Sequence, residues 1–71
     1  MSTEEKVMKS FCENLRYYMD LNKLSQRKLA ARLNLANTTV SKWFVRGQQP
    51  SIVTCAKIAE MFEISVDDLI K

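Results

Sequence analysis

At 71 residues the chain is one domain with a small core, a size at which stability needs well-packed helices, a staple or a partner. One Gly and one Pro against 46% hydrophobic residues exclude a disordered or low-complexity chain. No apolar run approaches the ~20 residues of a membrane span and the N-terminus MSTEEKVMK has no apolar signal core, so a cytoplasmic, mostly helical protein of net charge +3 is expected.

The first helix is expected over residues 4–22. Ser2 or Thr3 caps it, and Glu4 and Glu5 in its opening turn carry the sign that suits a helix N-terminus. Met8, Phe11, Leu15 and Tyr18 recur at spacings of three and four and form its buried stripe, with Val7 widening the stripe near the start. Tyr17 falls just off the stripe, on the surface.

Ser25 is the natural N-cap of a second helix over residues 26–33. Leu29 and Leu33 sit four apart on one apolar face, and Ala30 between them is small enough to let another helix come close. Asn34-Leu35-Ala36 then turns the chain. Asn is the residue after Gly that most easily takes the left-handed conformation of a sharp helix stop, and Leu35 can plug the angle between helices.

In a third helix, residues 37–45, Val40, Trp43 and Phe44 make the apolar face. Asn37, Thr38, Ser41 and Lys42 fall on the opposite side. One face packs and the other offers hydrogen-bonding groups, which is helix-turn-helix geometry.

Gly47 ends this helix, and Gln48-Gln49-Pro50 leads to Ser51, the N-cap of a fourth helix over residues 52–62. Ile52, Cys55, Ile58, Ala59 and Phe62 share one of its faces, and Met61 is filler. Ser65 with Asp68 three residues on makes a capping arrangement for a short fifth helix, residues 66–70, anchored by Leu69.

The charge is unevenly placed. Residues 21–50 hold Lys23, Arg27, Lys28, Arg32, Lys42 and Arg46 and no acid, a local charge of +6, whereas residues 1–20 carry −1 and residues 51–71 carry −2. The whole excess comes from the segment holding the helix-turn-helix, the electrostatic footprint of a polyanion partner. A solvated helix surface is the blander reading of the charge alone.

With two cysteines far apart and no His, a metal or redox site is not expected, and neither is a cofactor. Cys12 and Cys55 read as reduced cysteines, Cys55 in the core. Without His, a Gly-rich loop or paired carboxylates in a cleft, the chain does not read as an enzyme.

Leu24-Ser25-Gln26, Leu29-Ala30, Leu33, Val40-Ser41 and Trp43, followed by Gly47, Pro50-Ser51, Ile58-Ala59 and Ile64-Ser65-Val66-Asp67-Asp68-Leu69, resemble the phage repressor and Cro type of helix-turn-helix domain. The match extends from Phe11 to Leu69. It implies an all-α, five-helix lambda repressor-like DNA-binding domain whose third helix enters the major groove.

By that resemblance Asn37, Thr38 and Lys42 occupy base-reading positions and Gln26 the phosphate-holding position at the start of the second helix. Asn suits adenine, Lys suits guanine, and the Thr methyl can meet a thymine methyl. Thr39, Ser41, Arg46 and Gln48 are backbone candidates, and Lys23, Arg27 and Lys28 add diffuse attraction. Arg27 and Lys28 at the positive start of a helix cost some stability, which a nearby phosphate would offset.

The chain also departs from the family. Ala36 stands where relatives often carry Ser or Thr, so the cap of the third helix is expected to fall to Asn37. Many relatives pair a Glu at the position of Phe44 with an Arg at the position of Met19; here an apolar contact between Met19 and Phe44 is expected instead. Gly47 sits one residue late, so the third helix is expected to gain a residue. Val45 replaces a phosphate-binding polar residue, and Arg46 is expected to take over that work.

A domain this small contacts few bases, so a homodimer on half-sites about 34 Å apart is expected. The resemblance implies that it forms around the junction of the last two helices, at Phe62, Glu63, Ile64, Ser65 and Val66. The rival expectations are an antitoxin or other protein-interaction module on the same fold, and one domain of a longer repressor. The regulatory sign and the operator sequence are left open.

Overall fold

The computed structural model describes residues 2–71. Five helices follow one another: α1 (Thr3–Leu21), α2 (Gln26–Leu33), α3 (Asn37–Arg46), α4 (Ile52–Phe62) and α5 (Val66–Ile70). Helix α1 packs on α5, α2 on α3 and α4 on α5, while α3 also touches α1 and α2 also touches α4.

Serines start four of the five helices. The hydroxyls of Ser2, Ser25, Ser51 and Ser65 accept the backbone N–H three residues on, in Glu5, Lys28, Thr54 and Asp68. At Ser65 the bond is reciprocated, because the Asp68 carboxylate accepts the Ser65 N–H at 2.9 Å. That closes the capping box.

Helix α3 is the exception. Its N-cap is Ala36, with no side-chain bond, and Asn37 is already the first helical residue. The expected Asn37 cap is therefore overturned: Ala36 takes the extended cap conformation and its carbonyl accepts the Thr39 N–H at 3.0 Å. The Asn37 side chain is exposed.

Helix ends follow one device. Lys23, Asn34 and Glu63 all adopt left-handed backbone, at φ 55, 57 and 57°. The next residue's N–H then reaches five residues back, from Leu24 to Met19, Leu35 to Ala30 and Ile64 to Ala59, at 2.8–2.9 Å. Each of these residues is apolar and turns inward against the core, so the chain is locked as it leaves each helix. Gly47, at φ 64°, caps the end of α3, whose last helical residue is Arg46, one beyond the expected Val45.

Phe11, Leu15, Leu29, Val40, Trp43, Ile58 and Leu69 are completely or almost completely buried and make the centre of the core. Phe11 meets Trp43 edge to face, with centroids 5.7 Å apart. Tyr18 stacks on Phe62 at 5.8 Å. Two polar ties join α1 to its neighbours: Asn14 Nδ2 donates to the Leu69 carbonyl at 2.9 Å, and Cys12 Sγ donates to the Trp43 carbonyl at 3.3 Å.

Three burial expectations are corrected. Met19 is in the core while Met8 and Tyr18 are only half-buried and Val7 lies at the surface, so the buried side of α1 is rotated toward Met19. Ile52 is 83% exposed. It opens α4 one turn before Cys55, and the apolar stripe leaves the core before reaching it. Cys55 is half-buried and borders a shallow cavity of about 230 Å³ with Val7, Met8, Pro50 and Ile70.

Candidate nucleic-acid interface

The tight turn at Asn34 holds α3 across α2 so that only one side of α3 meets the core. Val40 and Trp43 fill that side, and Phe44 is half-buried beside them. At 100° per residue the opposite side is the line Thr38, Lys42 and Val45, while Asn37 opens the helix about 80° from Val45, on the side of Phe44. All four are exposed, Val45 by 77%.

Of the proposed base-reading residues, Thr38 and Lys42 share the outward line, and Asn37 is exposed at the start of the helix to one side of it. The backbone candidates spread around it. Thr39 and Ser41 are half-buried on the flanks of α3, Gln26 is half-buried as the first residue of α2, and Arg27, Lys28 and Gln48 are exposed. Arg46 is exposed too, but it lies across a shallow groove from the acidic first turn of α1, where Glu4 and Glu5 stand.

Electrostatics single out the same region. Lys23, Arg27, Lys28, Arg32, Lys42 and Arg46 are all exposed. The one ion pair among the described residues is Lys71 with Asp67, at 3.6 Å. None of the six cations of the acid-free segment has a carboxylate partner, so their field is directed into solvent.

The sequence pattern did not single out two features beside these residues. The Arg16 guanidinium covers the ring of Phe44 at 5.0 Å, a contact between α1 and α3 with no signature in either helix alone. Val45 lies in line with Thr38 and Lys42, which its spacing of seven and three from them could have revealed.

The cysteines take no part in this surface. Both are free, and burial pushes both thiols up; at Cys12 Arg16 opposes the rise and Glu13 adds to it. Among the described residues no cluster of His, Cys, Asp and Glu could hold a metal ion, and no helix is long and apolar enough to cross a membrane.

A two-helix motif set in a five-helix bundle, with a polar helix face standing out of a cationic segment, defines a DNA-binding domain. A family model described as helix-turn-helix matches residues 15–69, and the chain belongs to this family, of the phage repressor and Cro type. It is a family of DNA-binding transcription regulators rather than of enzymes. Neither the curated proteins nor the solved structures hold a match to the chain.

Proposed function

We propose that the protein is a sequence-specific regulator, a repressor of phage or prophage type, that binds a pseudo-palindromic operator as a homodimer through the major groove. The observation that carries this reading is the unpaired +6 segment around the outward face of α3. Asn37, Thr38 and Lys42 read base edges. Gln26, Arg27, Lys28, Thr39, Ser41, Arg46 and Gln48 hold the sugar-phosphate backbone on either side.

The chemistry suits this division. Short polar side chains lie at the N-terminal end of α3, where a recognition helix makes its base contacts. Lys42, one turn further, reaches guanine O6 or N7. The missing side-chain cap at Ala36 leaves first-turn N–H groups of α3 free for an anion.

Two copies place two recognition helices on successive turns of one duplex face, about 34 Å apart. The proposed dimer seat is residues 62–66, where Val66 is the exposed apolar side chain. Selection of bound sequences from a random duplex library tests the reading: a palindromic winner with half-sites one helical turn apart supports it, and a library that returns no enriched sequence refutes it.

One observation favours a second reading, an antitoxin or other protein-binding module: Ile52 and Val53, adjacent at the start of α4, are 83% and 60% exposed. Under that reading the selection fails, and a defined toxin partner protects Ile52 and Val53 from solvent.

A further inference from the structure

Arg16 belongs to α1, in the part of the chain whose net charge is −1, so the charge pattern alone does not assign it to the interface. The fold carries it there. Its guanidinium lies 5.0 Å from the centroid of the Phe44 ring, and one turn earlier on α1 Cys12 Sγ donates to the Trp43 carbonyl. These two contacts seat one side of α1 against the C-terminal half of α3. At 100° per residue Phe44 falls about 20° from Asn37 and about 60° from Ser41, so Arg16 stands on the flank of α3 that carries a proposed base reader and a proposed backbone contact.

The Arg16 side chain is exposed, and among the described residues it makes no hydrogen bond and no ion pair. Glu13, three residues before it, and Asp20, four after it, are the acids beside it on α1, and neither pairs with it. The ring attracts the cation without neutralising it, and it accepts none of the five N–H donors that a guanidinium holds in a fixed fork. That fork matches two oxygens of a phosphate. The end of α3 beside it is where Arg46 is expected to meet the sugar-phosphate backbone, so a held, unpaired guanidinium stands where phosphates pass.

We propose that Arg16 is a phosphate-binding residue that, held against Phe44, grips the DNA backbone beside the C-terminal half of α3. The proposal rests on the DNA reading given above and adds to it a contact from the first helix. The ring then has two roles, packing α3 against α1 and fixing the cation before DNA arrives, which lowers the ordering cost of the contact.

Neutralising phosphates one at a time tests this. In the operator returned by the selection, each phosphate is replaced in turn by an uncharged methylphosphonate, and the wild-type chain is compared with Arg16→Gln, whose fold is checked by its melting temperature. At one phosphate of each half-site the replacement should weaken the wild type and leave Arg16→Gln unaffected, while the penalties at the other phosphates persist in both. On a random duplex Arg16→Gln should reduce the slope of log affinity against log salt by about 0.9, so that its deficit shrinks about 3.5-fold between about 50 and about 200 mM salt.

A purely structural Arg16 would lower the melting temperature of the variant and leave the salt slope and every phosphate penalty in place. That result overturns the proposal while leaving the DNA reading intact. A selection that enriches nothing overturns both.

Discussion

The guanidinium of Arg16 lies on the ring of Phe44, its central carbon 5.0 Å from the ring centroid. It fastens the recognition helix to α1 beside the buried Trp43. A cation on an aromatic face at an exposed site contributes about 0.5–1 kcal/mol, and Arg16→Ala should lower the unfolding free energy by about that much. In a double-mutant cycle with Phe44→Leu, chemical denaturation should show the pair costing less than the two single changes together. Additive losses would mean that the two side chains are neighbours without interaction.

Base reading and charge attraction separate by their salt and sequence dependence. Lys42→Ala should weaken operator binding by roughly 1–3 kcal/mol and relax one base position, whereas Arg27→Ala should weaken operator and random DNA alike and reduce the salt slope by about one. Titrations of both variants on both duplexes check this. Equal losses on operator and random DNA for Lys42→Ala would reject its base-reading role.

Two helix ends hold side chains in a backbone conformation that costs a non-glycine residue roughly 1–2 kcal/mol. Lys23→Gly and Glu63→Gly should each relieve part of that, offset by the larger entropy of an unfolded glycine, and raise the melting temperature by a few degrees. A Lys23→Ala or Glu63→Ala variant keeps the strain and should gain nothing. Lower melting temperatures for both glycine variants would show that the Lys23 and Glu63 side chains contribute more than their backbone strain costs.

The helix borders were legible because the signals are local. Ser25, Ser51 and Ser65 cap by side-chain chemistry that a sequence displays, and Asn34 marks its own left-handed turn. Lys23 and Glu63 take the same turn without displaying it, since the apolar residue that follows them and the helix packing impose it. Exposure was less legible. Ile52 fits the stripe of α4 by spacing, but spacing does not say where the core ends.

The candidate interface divides in the same way. The polar face of α3 and the acid-free segment could be read off the chain, and the structure leaves Asn37, Thr38 and Lys42 exposed, the last two on one line of the helix. The Arg16 guanidinium over the Phe44 ring could not, because the contact joins two helices and neither sequence displays it alone.

Asp68 links stability to pH. The Ser65 backbone N–H, and then the Ser65 hydroxyl, hold its carboxyl below the ordinary value of 3.8. A folded-state value below the unfolded one stabilises the protein above pH 3.8, and that contribution is lost as pH falls through the folded value. Asp68→Asn retains an acceptor for the Ser65 N–H without titrating. Melting curves of the two proteins should converge as the solution is acidified below pH 3.8; a difference that stays constant with pH would remove Asp68 from the acid response.

The central claim is that the outward face of α3 distinguishes one DNA sequence from others. It is tested most directly by the ratio of affinities for the selected operator and a scrambled duplex of equal length, measured at two salt concentrations. The account predicts a ratio of at least about 10³ that survives the rise in salt while both affinities fall. Equal affinities that vanish together as salt rises would reduce the face to a generic cationic surface and contradict the claim.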